Sequence, residues 1–305
     1  MVINQKIADR YAVYNADCVE VARQIPTNSI HYSISSIPFA SLYTYSNSER
    51  DMGNCRTYDE FVDHFSFMVH EWHRVTMPGR LVSIHCMNLP TSKQHHGYIG
   101  LQDFRGDVIR MFQKAGFIYH SEVCIWKDPV IAMQRTKALG LLHKQIKKDS
   151  AMSRQGIPDY LVTFRKAETN PEPITHTPET FPVSIWQRYA DPCWVTLNHP
   201  EPDGFYKLTM DINPSNTLQR ESAREDKDER HICPLQLQVI ERGINLWSNP
   251  GDVVYDPFGG IGSTGYVALR QGRKSIMSEL KESYYKQNVL NCESATVTSA
   301  GLFDL

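Results

Sequence analysis

The amino-acid sequence predicts an α/β fold: a parallel, doubly wound sheet in circularly permuted order, interrupted by one inserted region. Three observations carry that expectation. Short apolar or alternating runs recur between segments of helical period, the spacing of β–α–β units. A β-branched run, Val253-Val254-Tyr255, ends at Asp256-Pro257 and passes through a glycine-rich turn into a helical segment from Ser263 to Arg270. Such a strand, turn and helix ordinarily opens this kind of sheet, yet here it comes near the C-terminal end.

The elements follow in order. An alternating run from Tyr11 to Tyr14 leads into Asn15-Ala16-Asp17-Cys18, and a helical pattern through Val19, Val21, Ala22 and Ile25 is closed by Pro26. Ile30 to Ser35 alternates as a second strand and ends at Ser36-Ile37-Pro38-Phe39. A polar loop, Ser41 to Asn54, carries Tyr43 and Tyr45. Tyr58 to Val75 reads as a helix stopped before Pro78-Gly79, and Leu81 to Met87 as a third strand. Phe104 to Ala115 is a helix ended by Gly116; Glu122 to Trp126 and Tyr160 to Phe164 are two more strands. Between Lys166 and Arg230 prolines recur and no period persists, which predicts a loop-rich insertion, with Arg220 to Arg230 a solvated linker. Helical period resumes from His231 to Leu246 and leads back to the Asp256 strand. Ser263 or Thr264 is available to cap the next helix. Lys274 to Met277 is the last strand, with Glu279 at its end. The chain thus divides into 1–165, 166–230 and 231–305.

Composition narrows the class. Of the 305 residues, 41% are hydrophobic, enough for a large core. No apolar stretch approaches a membrane span and the N-terminus carries no signal-peptide pattern, so a cytoplasmic location is expected. Seven cysteines without a CxxC spacing favour reduced thiols over a disulfide framework or a zinc cluster. His70-Glu71-Trp72-His73 is not HExxH and His95-His96 has no partners at metal spacing, so no metal is expected. A net charge of −2 gives no overall attraction to nucleic acid. A local patch does exist: Arg135, Lys137, His143, Lys144, Lys147, Lys148 and Arg154 stand against the single acid Asp149. Such a run is commonly a solvated face; beside a base-modifying site it would track a phosphate backbone.

The glycine turn admits several readings. A phosphate-binding P-loop needs Gly-Lys-Ser/Thr, and no lysine follows until Lys274, which removes that reading. Gly260, Gly262 and Gly265 fit GxGxxG, and Glu279 stands at a ribose-binding distance, as a dinucleotide site requires. S-adenosylmethionine is the third reading: it also asks for an acid on its ribose, has no pyrophosphate, and its sulfonium and amino group favour a carboxylate such as Asp256. A tight turn with no ligand is the fourth.

Ser36-Ile37-Pro38-Phe39 alone is a strand-ending proline turn. Joined to the permuted order, the glycine turn and the two acids, it resembles the β-group amino-methyltransferases of DNA, which modify cytosine N4 or adenine N6. That family carries (D/N/S)PP(Y/F) early and DPFxGxGST late, with a target-recognition insertion between. Asp256 to Thr264 matches the late motif throughout; the early motif departs at Ile37, which stands where the family has its first proline. The resemblance covers about 1–165 and 231–295. It implies a Rossmann-like sheet that binds S-adenosyl-L-methionine. Asp256, Gly259, Gly260 and Gly262 would cradle the methionine end, with Phe258, Ser263 and Thr264 of the same motif beside them. Glu279 would hold the ribose hydroxyls and Asp17 would accept from the adenine amino group. The amino group of a flipped base would donate to the Ser36 side chain and to the carbonyl of Ile37, kept extended by Pro38, while Phe39 stacks on the base.

The same resemblance implies double-stranded DNA as partner, with Arg135, Lys137, Lys144, Lys147, Lys148 and Arg154 available to track it; Tyr43 and Tyr45 read equally as a closure over the base or as ordinary loop aromatics. It admits a homodimer and a cognate restriction nuclease, and no membrane contact. The serine-led motif leans toward cytosine N4. Ile37 keeps a second reading open, a catalytically weakened or inactive protein that binds DNA and S-adenosylmethionine. A nicotinamide oxidoreductase using GxGxxG is a third, without an evident proton-donor constellation.

Overall fold

A computed structural model describes residues 2–40, 50–136, 139–200, 206–219 and 234–297. Its strands are β1 (Asn4–Ile7), β2 (Tyr11–Asn15), β3 (Ile30–Ser36), β4 (Thr76–Cys86), β5 (Leu89–Thr91), β6 (Gly100–Gln102), β7 (Phe117–Ile125), β8 (Asp159–Lys166), β9 (Cys193–Pro200), β10 (Tyr206–Met210), β11 (Val253–Asp256) and β12 (Lys274–Glu279). Its helices are α1 (Cys18–Ala22), α2 (Tyr58–Val75), α3 (Lys93–His96), α4 (Phe104–Lys114), α5 (Pro129–Thr136), α6 (His143–Ile146), α7 (Val183–Tyr189), α8 (Leu237–Trp247), α9 (Ser263–Arg270) and α10 (Glu282–Val297).

One sheet of ten strands runs β1-β2-β12-β11-β3-β4-β8-β7-β9-β10, and β5 and β6 form a separate ribbon. The block β2, β12, β11, β3 and β4 is parallel throughout. Beyond it β8 lies antiparallel to both β4 and β7, and β1 and β10 are antiparallel edges, so the sheet is mixed where an all-parallel one was expected. The glycine-turn strand β11 is central although it comes late, and its neighbours β3 and β12 come from opposite ends of the chain.

Helices cover both faces. On one, α2 buries Phe61, Phe65, Met68, Val69, Trp72 and Val75, a stripe at helical spacing, against Val82, Ile84 and Phe164 of the sheet. Full burial of a large apolar side chain stabilises by roughly 1.5–3 kcal/mol, so this one stripe outweighs any surface pairing of the helix. Thr57 caps α2 by accepting from the Glu60 N–H, and Glu60 reaches back to the Arg56 N–H. On the other face α8 and α9 place Val239, Ile240, Ile244, Val267 and Ala268 against Tyr32, Ile34 and Leu161.

The expectation of an irregular insertion is corrected. α7 (Val183–Tyr189), β9 (Cys193–Pro200) and β10 (Tyr206–Met210) fall within the insertion, and β9 pairs with β7 to extend the main sheet. This part is tied to α8 by Arg242, whose buried guanidinium bonds Asp211 at 2.6 Å and lies 4.5 Å from the Trp194 ring and 5.2 Å from Tyr189. The 220–230 linker, Tyr43, Tyr45 and Lys137 lie outside the described residues. None of the six described cysteines is in a disulfide, and no helix among the described residues is long and apolar enough to cross a membrane.

Candidate active site

The ends of β2, β12, β11, β3 and β4 meet at one edge of the sheet, the edge where open α/β sheets bind ligands. An open cleft lies there. It is lined by Asp17, by all four residues of Ser36-Ile37-Pro38-Phe39, and by Asp256, Phe258, Gly259, Gly260, Ser263, Thr264 and Glu279. The two sequence motifs, more than two hundred residues apart in the chain, therefore face one space. Gly262 of the expected set does not line it.

The glycine turn is built by Asp256. Its Oδ1 accepts from the Ser35 hydroxyl at 2.6 Å and the Phe258 N–H at 3.0 Å, and its Oδ2 from the Thr264 hydroxyl at 2.7 Å. Thr264 is thus engaged by Asp256, and Gly262 rather than Ser263 or Thr264 is the N-cap of α9, without a side-chain cap. That corrects the expected capping. Gly262 has φ +90°, and a Cβ there would meet Asn288 Oδ1 at 2.6 Å, so both backbone and space demand glycine. From α10, Asn288 donates to the Gly260 carbonyl and Asn291 to the Ile261 carbonyl, one helix face bracing the turn.

Glu279, at the end of β12, accepts from the Gly260 N–H at 2.9 Å and the Lys281 N–H at 2.8 Å. Asn15, wholly buried at the end of β2, donates to the carbonyls of Glu279 and Leu280 and holds that end of β12 in place. Asp17 caps α1, Oδ1 accepting from the Val19 and Glu20 N–H groups at 3.0 Å each. Burial pushes the Asp256 carboxyl up, with its Ser35, Thr264 and Phe258 donors pulling back. Burial likewise pushes Glu279 up to about 7, against the Lys281 and Gly260 N–H groups. Among the described residues neither acid is ion-paired with a cation. The Cys18 thiol, also on the cleft, is pushed well up by burial and by Asp17, which removes it as a thiolate nucleophile.

On the opposite wall Ser36 ends β3. Its hydroxyl lies 3.0 Å from His85 Nδ1, the two residues being register partners across β3 and β4. His85 Nε2 lies 3.1 Å from Asp159 Oδ2, and Lys127 Nζ lies 2.6 Å from the same oxygen. Burial pushes the Asp159 carboxyl up, but His85 and Lys127 together hold it below the usual range. The Phe39 ring packs edge-on against His85 and Phe104, each at 6.1 Å. Ile37 is 1% exposed and belongs to the main core, so its bulk is absorbed there.

Several lining residues carry no motif. Arg50, Asp51, Met52 and Leu235 enter from loops on either side, Arg50 ion-paired with Glu20 and Asp51 capping the turn Met52–Asn54. No spacing in the sequence announces them. Of the basic residues, Lys144, Lys147 and Lys148 are exposed in and just after α6, and Arg135 lies in α5. Arg154 differs: it is half-buried over Gly140 and donates to the Gln155 carbonyl. Their segment joins the end of β7 to the start of β8, at the sheet edge that bears the cleft.

The profile of the N6/N4 DNA methylase family matches residues 30–290. The chain belongs to that family. It is 35% identical over 105 residues to DNA adenine methyltransferase YhdJ of Escherichia coli K12, and 22% identical over 281 residues to type II methyltransferase M.BglII of Bacillus subtilis. It spans 34% of the length of the first relative and 66% of the second. Among solved structures, the DNA modification methylase TTHA0409 of Thermus thermophilus, in complex with S-adenosyl-L-methionine, superposes with a TM-score of 0.66 at 20% identity, covering 95% of each chain. The PvuII DNA methyltransferase, cytosine-N4-specific, gives 0.64 at 19% identity, covering 97% of this chain and 94% of that one. This N6/N4 DNA methylase chain therefore has the Rossmann-like α/β fold of those proteins.

Proposed function

We propose that the chain transfers a methyl group from S-adenosyl-L-methionine to the exocyclic amino group of a DNA base turned out of the duplex, with cytosine N4 favoured over adenine N6. The observation that carries this reading is the meeting of Ser36-Ile37-Pro38-Phe39 with Asp256, the 258–264 turn and Glu279 in one cleft. The central place of β11, between strands from both ends of the chain, supports a circularly permuted order. Residues 166–230 are the target-recognition part in this reading.

The cofactor would supply an electrophilic methyl carbon on a cationic sulfur. The residues present fit it. Asp256 is a buried and Glu279 a half-buried carboxylate, neither ion-paired with a cation among the described residues, and a ligand bearing a cation and ribose hydroxyls supplies what they lack. Gly260 has φ +51° and a Cβ on it would meet nothing nearer than 4.0 Å, so a ligand can approach this backbone closely. Glu279 uses one hydrogen bond on each oxygen, which leaves acceptor capacity for two hydroxyls. Asp17 Oδ2, unbonded among the described residues, is the acceptor proposed for the adenine amino group.

The amino nitrogen of a base spreads its lone pair into the ring. Two acceptors, the Ser36 hydroxyl and the Ile37 carbonyl, localise that pair and aim it, so orientation and electrostatics do the catalysis. Phe39, fixed by Phe104 and His85, offers a ring face for the extruded base. The Ile37 side chain packs in the core at the cleft wall, so the departure from proline alters chain stiffness there while the carbonyl of residue 37 is kept. The exposed lysines at the cleft edge are assigned to phosphates.

Incubation with labelled S-adenosylmethionine and mixed-sequence duplex DNA, then nucleoside mass spectrometry, tests the reading, with Ile37→Pro alongside. N4-methylcytosine is the expected product. N6-methyladenine would keep the reaction and change the base. No methylated nucleoside from either chain, with both ligands still bound, would make this a binding protein.

A further inference from the structure

We infer that His85 and Asp159 are positioning residues for the transfer: His85, oriented by Asp159, accepts the hydrogen bond of the Ser36 hydroxyl and so presents Ser36 to the substrate amino group as a pure acceptor. The inference rests on the proposed reaction. It starts from geometry that joins Ser36 of the early motif to residues outside both motifs. Ser36 Oγ is 3.0 Å from His85 Nδ1, His85 Nε2 is 3.1 Å from Asp159 Oδ2, and Lys127 Nζ is 2.6 Å from that same oxygen. His85 is 7% exposed and Asp159 3%, so water does not supply their partners.

The proton positions follow by elimination. A carboxylate only accepts, so the imidazole hydrogen belongs on Nε2, facing Asp159, although the contact is off the line of an ideal hydrogen bond. Nδ1 is then an acceptor, and the single hydroxyl proton of Ser36 turns to it. What Ser36 shows the cleft is lone pairs. A serine without this partner would turn its proton into the cleft for part of the time and oppose an amino N–H. Ionised Asp159 keeps the arrangement, and two cationic or donor groups on one oxygen hold it ionised in a buried position.

The same chain of groups gives the reaction's proton a place to go. The methyl carbon–sulfur bond breaks with its electron pair left on sulfur, and the nitrogen lone pair forms the new carbon–nitrogen bond. The cationic nitrogen then gives one proton to Ser36 Oγ as the Ser36 proton passes to His85 Nδ1. The resulting imidazolium lies beside the Asp159 carboxylate and releases its proton to solvent when product leaves. The groups facing His85 are Ser36 from β3 and Asp159 from β8, with Lys127 acting through Asp159 and the edge of the Phe39 ring beside them.

Two measurements test this on the full chain. Proton–nitrogen correlation spectra of the labelled protein, with His85→Leu to assign the ring, report the tautomer above neutral pH; Nε2–H is expected, and Nδ1–H would overturn the inference. Single-turnover methyl transfer to duplex DNA is the second. His85→Leu should slow transfer about 100-fold, the scale of a positioned acid–base group, with cofactor affinity unchanged, and His85→Asn, which keeps an acceptor oxygen toward Ser36, should recover most of that loss. Parent-like transfer by His85→Leu overturns the inference and leaves the reaction standing. Equal loss in both variants, with cofactor bound, assigns the effect to ring packing and also overturns it. Absence of transfer by the parent chain overturns the reaction and this role together.

Discussion

On the glycine-turn wall of the cleft, Asp256 is buried and Glu279 half-buried among N–H and hydroxyl donors, neither ion-paired among the described residues, and desolvation pushes both carboxyls up. Across from them Asp159 is buried as deeply as Asp256, yet Lys127 and His85 grip one of its oxygens and hold it down. Desolvation is common to the three acids, so the charge of the neighbours decides the difference. One wall keeps a negative charge that is complete without a ligand. The other keeps acids whose ionised form is unfinished until something brings a cation or hydroxyl donors. That contrast supports the proposed division, cofactor binding at the glycine turn and substrate orientation at Ser36.

The largest effect should come from Asp256. Hydrogen bonds to charged groups contribute about 1.5–3 kcal/mol, so Asp256→Asn should weaken S-adenosylmethionine binding by roughly 10- to 100-fold in calorimetry. Asp256→Ala should abolish binding, and it also strands the Ser35 and Thr264 hydroxyls, costing about 1–3 kcal/mol each in a thermal or denaturant melt. Parent-like affinity in either variant would remove the distinction between the walls.

Glu279 sharpens it through pH. Its carboxyl is raised from 4.5 to about 7 in the ligand-free chain, so the folded state binds the proton that the unfolded state has released. The stabilisation is present below pH 4.5 and is lost as pH rises through about 7. Ribose hydroxyls donate to the ionised form, so binding expels that proton and affinity rises across the same window. The melting-temperature increase produced by S-adenosylmethionine should therefore grow from pH 5 to about 8. Glu279→Gln should flatten Glu279's share of both trends. A parent-like pH slope in that variant would show that another group, Asp256 included, sets it.

Legibility from sequence followed how local each feature is. Asp256 to Arg270 was readable almost residue by residue because turn, glycine φ and helix lie within a few positions of one another. Ser36 to Phe39 was readable as a motif, and the meeting of the two motifs followed from strand order. The His85–Asp159–Lys127 group was not readable: His85 and Asp159 sit on different strands, Lys127 in the loop after β7, and the two strand residues meet only because β8 runs antiparallel beside β4, a direction that apolar alternation does not encode. In the insertion, β9 and β10 pair at the sheet edge and Leu197 and Leu208 are exposed, so no buried face imposed a period of two. The cap of α9 was misread because Thr264 serves Asp256 instead.

The smallest effect tests whether the Ser36 wall extends into a DNA surface. Lys127, bound to Asp159, begins the segment that runs on through α5 and α6, and Lys144, Lys147 and Lys148 are its exposed cations. Replacing those three together by alanine should leave S-adenosylmethionine affinity unchanged, since none lines the cleft. DNA binding should weaken, and the slope of log affinity against log salt should shrink by up to about 0.9 per lysine that contacts a phosphate. An unchanged slope would reduce the segment to a solvated face and return the search for the DNA surface to α7 and the β9–β10 edge. Arg154 serves as the internal contrast. Its guanidinium is engaged by the Gln155 carbonyl and its stem packs over Gly140, so Arg154→Ala should lower thermal stability while leaving the salt slope close to the parent's.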